Sequence, residues 1–166
     1  MSDAIGGCVR PANAASEVES KVVSLEKSTI VMLACSQSAY AYTHRLFAIR
    51  SGEPPQLLPV PDYDTAGWYA TDQASMAEID AGTGVLTTLR RGNEKETCGS
   101  EGRYQWDGAR FIVQEMHWQD CKGTTLSGPP FPVLWPTQVG AEVDPNGATP
   151  AGTAVRCSAS NARLFL

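Results

Sequence analysis

The 166-residue chain has only two histidines, no Cys-x-x-Cys pair, and no apolar run longer than the one at residues 30–35. Each shortage removes a class of protein. Structural zinc sites and thioredoxin-like redox sites both rely on closely spaced cysteine pairs. A membrane-spanning helix needs roughly 18 to 20 consecutive apolar residues. Basic residues are scarce as well, 13 Lys and Arg against 18 Asp and Glu, for a net charge of −5. Sequence-independent nucleic-acid binding calls for clustered cations that neutralise phosphates. The nearest approach to such a cluster is Arg90-Arg91, beside a predicted turn. The opening stretch, MSDAIGGCVRPANAASEVES, holds no charged segment followed by an apolar one, so no secretory signal is visible. No Gly-x-Ser-x-Gly elbow is present. No glycine loop opens a helix to cradle a phosphate, since Gly82-Thr83-Gly84 falls in a hairpin turn.

What is present points to strands. Fifteen Gly and 11 Pro imply many turns, and 19% charged residues suit a turn-rich β protein better than a helical bundle. The length suffices for one domain with a true core. Residues 1–20 are small and polar and read as a flexible leader, residues 21–136 as a single β domain. Residues 137–166, rich in Gly, Ala, Pro, Asn and Thr without a sustained period, read as a poorly ordered tail.

Within the domain, STIVMLACS is too short for a helix and apolar on both faces, which predicts a buried strand. The β-favouring run AYTHRLFAIRSG pairs with it through a connection at residues 36–41. Pro54, Pro55, Pro59 and Pro61 cannot donate to a ladder, so residues 53–68 are expected as an extended edge or loop. A second hairpin turns at residues 80–84, between Ile79 and the Val85, Leu86, Leu89 run. A third turns at Asp107-Gly108, because Asp-Gly between aromatic strands is the signature of a two-residue type I′ turn. PPFPVLWP adds a short strand ending at Trp135. The fold class that follows is all-β, a small antiparallel sandwich or open barrel built from hairpins, with little helix.

The third hairpin brings Cys98 and Cys121 to its open end, offset by a few residues that a bulge or loop absorbs. A disulfide there would close a loop worth about 3 kcal/mol. The competing reading is zinc on Cys98, Cys121, His117 and Cys35, for which the spacing of His117 and Cys121 is a weak match. No metal or other cofactor is expected. Cys35 reads either as a small buried hydrophobe or as the disulfide partner of Cys8 or Cys157, and the sequence does not choose. Five cysteines leave at least one without an intramolecular partner.

Ser36 or Ser38, His44, and Asp62 or Asp64 can be assembled on paper into a Ser-His-Asp set, without the elbow that normally presents the nucleophile. Asp62 and Asp64 as paired carboxylates for glycoside chemistry compete with a plainer role as loop caps. The expectation is a protein that is not an enzyme. Binding remains. CSQSAYAY places Ser38, Tyr40 and Tyr42 at the tip of a strand pair, and tyrosine offers contact area and a hydroxyl at low entropic cost. The plainer alternative is that Tyr40 and Tyr42 cover the edge of the core. An acidic surface would attract a cationic partner over long range.

Four pieces in order resemble a bacterial family, the domain of unknown function numbered 1176. They are Leu33 to Tyr40; Ala74-Ser75 with Asp80, Gly84 and Leu86; Cys98-Gly99-Ser100 with Trp106-Asp107-Gly108 and Phe111; and Cys121-Lys122-Gly123 with Leu134-Trp135. Ser38 stands where the family usually has Gly, and Ala41 where it has Asn. The resemblance, to the family's C-terminal half, implies an exported β domain, periplasmic or secreted, and carries no biochemistry with it. The loop of small residues and Tyr is also similar to the inserting loop of periplasmic inhibitors of C-type lysozyme, which are small disulfide-stapled β-barrels with a basic target. The resulting expectation is a non-enzymatic exported domain that binds a protein or cell-envelope ligand, with a basic muramidase as the specific candidate. A structural module stabilising an N-terminal half, a metal-dependent hydrolase and a non-functional fragment are the alternatives. The ligand and the oligomeric state are not legible.

Overall fold

The computed structural model describes residues 8, 18–37, 41–122 and 128–136. They form antiparallel strands and no helix. The first sheet has the order β1 (Lys21–Leu25), β2 (Ser28–Gln37), β3 (Tyr42–Ile49), β4 (Gln56–Leu57), and β7 (Ala74–Ser75) also pairs with β3. A two-stranded hairpin follows β4, made of β5 (Val60–Asp64) and β6 (Gly67–Thr71). The second sheet runs β12 (Val133–Trp135), β11 (Phe111–Gln119), β10 (Gly99–Trp106), β9 (Val85–Arg91), β8 (Glu78–Asp80). The sheets do not close on one another, so the architecture is sandwich-like and not a barrel. Between the two five-stranded sheets the chain crosses once, at Met76 and Ala77, where Met76 takes a φ of +42° and Ala77 is fully buried.

Alternation builds the core. On β2, Ile30 and Met32 point inward, and on β3, Leu46 and Ala48 do the same. Leu86, Tyr104, Phe111 and Met116 answer from the second sheet. With successive side chains on opposite faces, a shift of one residue would turn each set outward. That fixes the register.

Two local features depart from the sequence reading. The Pro-rich stretch does not: Val60 to Asp64 pair with Gly67 to Thr71 and, among the described residues, with no other strand, so it forms the extended edge expected of it. Pro61 is tolerated because β5 pairs on one side only, so its missing N–H costs no ladder bond there. The third hairpin does not turn through a two-residue type I′ loop. Trp106 pairs with Phe111, leaving a four-residue turn in which Asp107 Oδ1 accepts from the N–H groups of Ala109 and Arg110, both at 2.8 Å. Only Gly108 takes positive φ there. Finally, β1 and β2 form a hairpin through Glu26-Lys27 that no glycine or proline announces.

Three irregularities of register finish the picture. On β2 the pairing skips Cys35, on β11 it skips Gln114, and where β12 meets β11 it skips Leu134. The bulge on β11, with the longer turn, brings Gly99 opposite Gln119 and so sets Cys98 and Cys121 side by side.

Candidate functional site

Cys98 and Cys121 are bonded, with their Cα atoms 5.0 Å apart, and Cys8 is bonded to Cys35 at 4.5 Å. All four are thereby removed from metal binding, and among the described residues no three His, Cys, Asp or Glu side chains converge on a point that would hold an ion. Cys35 is the bulge residue of β2. The bulge turns its side chain to Cys8, which is thereby bonded to the first sheet. Residues 19 and 20 are tied to the same sheet, by the Ser20 hydroxyl accepting from Ala34 N–H and by the Glu19 carbonyl 3.2 Å from His44 Nε2.

The paper triad is not assembled. His44 is 1% exposed, its Nδ1 has no hydrogen-bond partner among the described residues, and burial lowers its pKa. Ser36 spends its hydroxyl on Thr43, 2.6 Å away. Ser38 lies outside the described residues. Asp64 caps its own turn by accepting from Ala66 N–H. Asp62 does more than cap a loop. Its Oδ1 accepts from Ser100 Oγ at 2.7 Å and from Tyr63 N–H at 2.7 Å, and its Oδ2 from Tyr69 Oη at 2.9 Å and Arg90 Nε at 2.8 Å. Arg90 also donates to the Tyr63 carbonyl. One buried carboxylate thus fastens the β5–β6 hairpin to β9 and β10. Burial and the bond to Asp62 push the Tyr69 hydroxyl up to about 12, so it stays a donor at any ordinary pH.

Of the expected ligand-binding residues, Tyr42 begins β3, and Ser38 and Tyr40 lie outside the described residues. Tyr42 stands edge-on to His44, with ring centres 5.4 Å apart. It also lines a cleft of about 390 Å³ that includes Glu78, Glu101, Arg103, Glu115 and His117. Burial, then the charge of Glu78, raises its pKa. At the far wall His117 lies 2.6 Å from the Phe131 carbonyl through Nδ1 and 2.9 Å from Glu115 through Nε2. Both neighbours are acceptors, and only the imidazolium can donate to both. Burial opposes that charge, but the bonds to Phe131 and Glu115 and the charges of Glu115 and Glu101 outweigh it, so the pKa is raised.

A larger feature on the molecule went unread in the sequence. An open apolar groove of about 730 Å³ runs between the β5–β6 hairpin and the outer part of the second sheet. Leu58, Pro61 and Phe111 line it, and Trp68 and Trp135 stand at it 48% and 46% exposed. Its residues come from five strands, the link at 58–59 and the turn at 107–110, so no local motif could have shown it. The nearest signal was the period-two pattern Val60, Asp62, Asp64, which turns Pro61 and Tyr63 to the other face.

Among the described residues no helix is long and apolar enough to cross a membrane. Two disulfides fit an oxidising compartment outside the cytoplasm. No curated protein and no solved structure matches the chain. A family model described as protein of unknown function (DUF1176) matches residues 5–138, most of the chain's length. The chain therefore belongs to the DUF1176 family.

Proposed function

We propose that the chain is a non-enzymatic binding domain for a protein or cell-envelope ligand, working in the periplasm or outside the cell. The observation that carries this reading is the groove. Monomeric proteins seldom leave contiguous apolar surface open to water unless something covers it, and two half-exposed tryptophans are the side chains most often found as binding anchors. The disulfides support the compartment. The test replaces Trp68 or Trp135 by Ser and compares retention on purified envelope fractions, soluble and insoluble. Retention that drops several-fold while the melting temperature holds supports the reading. Equal retention of both variants sinks it.

A second, narrower reading is inhibition of a basic muramidase. What favours it is the cleft beside Tyr42, where Glu78, Glu101 and Glu115 gather on a protein of net charge −5. Muramidase activity on cell walls should fall in proportion to added protein, and Tyr42→Ala should relieve the effect. Undiminished activity at large molar excess would remove this candidate and leave the groove reading standing.

A further inference from the structure

The groove has a second property besides its apolar floor. Three of the strands that line it each end a sheet: β4 pairs only with β3, β6 only with β5, and β12 only with β11. Among the described residues no further strand pairs with the outer side of any of the three, and β6, the longest of them, leaves the most outward backbone N–H and C=O groups open. Open edges of this kind are templates for another strand, and proteins usually blunt them with charge or proline. β4, two residues flanked by Pro55 and Pro59, and β12, three residues between Pro132 and Pro136, are blunted in that way, but the five-residue β6, with Trp68 and Tyr69, carries neither charge nor proline.

Charge narrows the occupant. Among the described residues Arg110 is the one charged side chain in the lining. Asp107, whose Oδ1 already accepts two backbone N–H groups, has its Oδ2 3.8 Å from Arg110 Nε. The Arg110 side chain is 75% exposed, with no closer carboxylate among the described residues. Arg50 reinforces this end by donating to the carbonyls of Gly108 and Ala109.

We propose that the groove takes an extended apolar segment of a partner protein as an added strand, with an acidic side chain of that segment paired to Arg110. This rests on the groove being the binding site, and it names the occupant. A glycan would want more polar donors than this lining has. An acyl chain would use the floor and Arg110 but leave the strand edges without partners. An extended peptide meets all three features at once, since main-chain pairing supplies affinity and alternate side chains supply selectivity.

The experiment pans a random twelve-residue peptide display library on the full chain with its disulfides formed. The expected selection is of alternating apolar sequences with Asp or Glu near one end. A selected peptide should lose at least tenfold in affinity when alternate backbone amides are N-methylated, which blocks pairing and keeps every side chain. Trp68→Ser and Arg110→Glu should each weaken it about tenfold or more at unchanged melting temperature, and a Glu-to-Lys peptide should regain affinity for Arg110→Glu. N-methylated peptides that bind equally well, or selected peptides indifferent to both variants, overturn the proposal. So does a dodecanoate probe that fills the groove when no peptide competes with it, which would keep the groove as a binding site and assign it to amphiphiles. Dimerisation of the chain abolished by Trp68→Ser would assign the edges to a second copy and overturn it too.

Discussion

Tyr104 folds back across Gly102 so closely that a β-carbon on the glycine would overlap the tyrosine hydroxyl. That hydroxyl reaches the Pro61 carbonyl at 2.6 Å and so ties β10 to the hairpin. Burial holds its proton on far above any working pH. Gly102→Ala should force the ring out of its place and cost about 1–3 kcal/mol, the range for overpacking a tight core. Urea denaturation measures it. In the Tyr104→Leu background the same alanine should cost much less, because the overlapping atom is gone.

Asp62 with Arg90 predicts a strong, coupled pair. The Asp62 side chain is 11% exposed and that of Arg90 30%. Removing one charge leaves the other partly buried and unpaired, so Asp62→Asn should destabilise by about 3 kcal/mol. Arg90→Met should cost less, and the double variant should cost less than the sum. Strict additivity would mean that the two side chains do not act together.

The Cys98–Cys121 bridge lies against Gly92, where a β-carbon would come within 2.5 Å of Cys121 Sγ and 2.8 Å of Cys98 Sγ. Replacing both cysteines by Ser should remove about 3 kcal/mol of stability, mainly by freeing the unfolded loop. Gly92→Ala should destabilise the oxidised protein by more than 1 kcal/mol, as overpacked sites do. It should be better tolerated when the cysteines are gone. Thermal melts of the four combinations decide this.

The two histidines give stability opposite slopes with pH. His117 has its pKa raised, so its bonds to Phe131 and Glu115 contribute fully below the ordinary value of 6.5 and are lost as pH climbs through the folded value. His44 has its pKa lowered, so below 6.5 the unfolded chain takes up a proton that the buried ring resists, and stability is lost as the pH is lowered. His117→Gln should flatten the alkaline slope, and His44→Gln the acid one. Denaturation midpoints taken from pH 5 to 8 would show the assignment to be wrong if each variant flattened the other limb.

Cysteine spacing and local turn chemistry were readable in advance, and for that reason the stapled third hairpin was visible before its structure. Asp107 and Gly108 marked the turn correctly, but the side chain of Asp107 captured two N–H groups and lengthened it, which a dipeptide rule does not contain. The prolines of residues 53–68 marked an edge, as β5 is, but named no partner for it, so its pairing with Gly67–Thr71 was not legible. The Asp62 cluster was hidden by distance along the chain, because Arg90 and Ser100 lie 28 and 38 residues away. The groove is a property of how sheets end, and strand order is not written in any one stretch of residues. The chemistry of Tyr42 is legible and the residue does line a cleft, but the carboxylates around it arrive from β8, β10 and β11.

The single crossing at Met76 and Ala77 divides the molecule unusually cleanly. Everything paired into the first sheet comes before it and everything in the second comes after it, and each disulfide stays on its own side. In covalent terms the protein is two leaves held by one stitch, each leaf with its own clasp. A polypeptide built this way could be supplied as two separately made halves, the break placed at the stitch, and reassembled by packing alone. Its two leaves are, in that sense, already a pair of complementary fragments that happen to be joined.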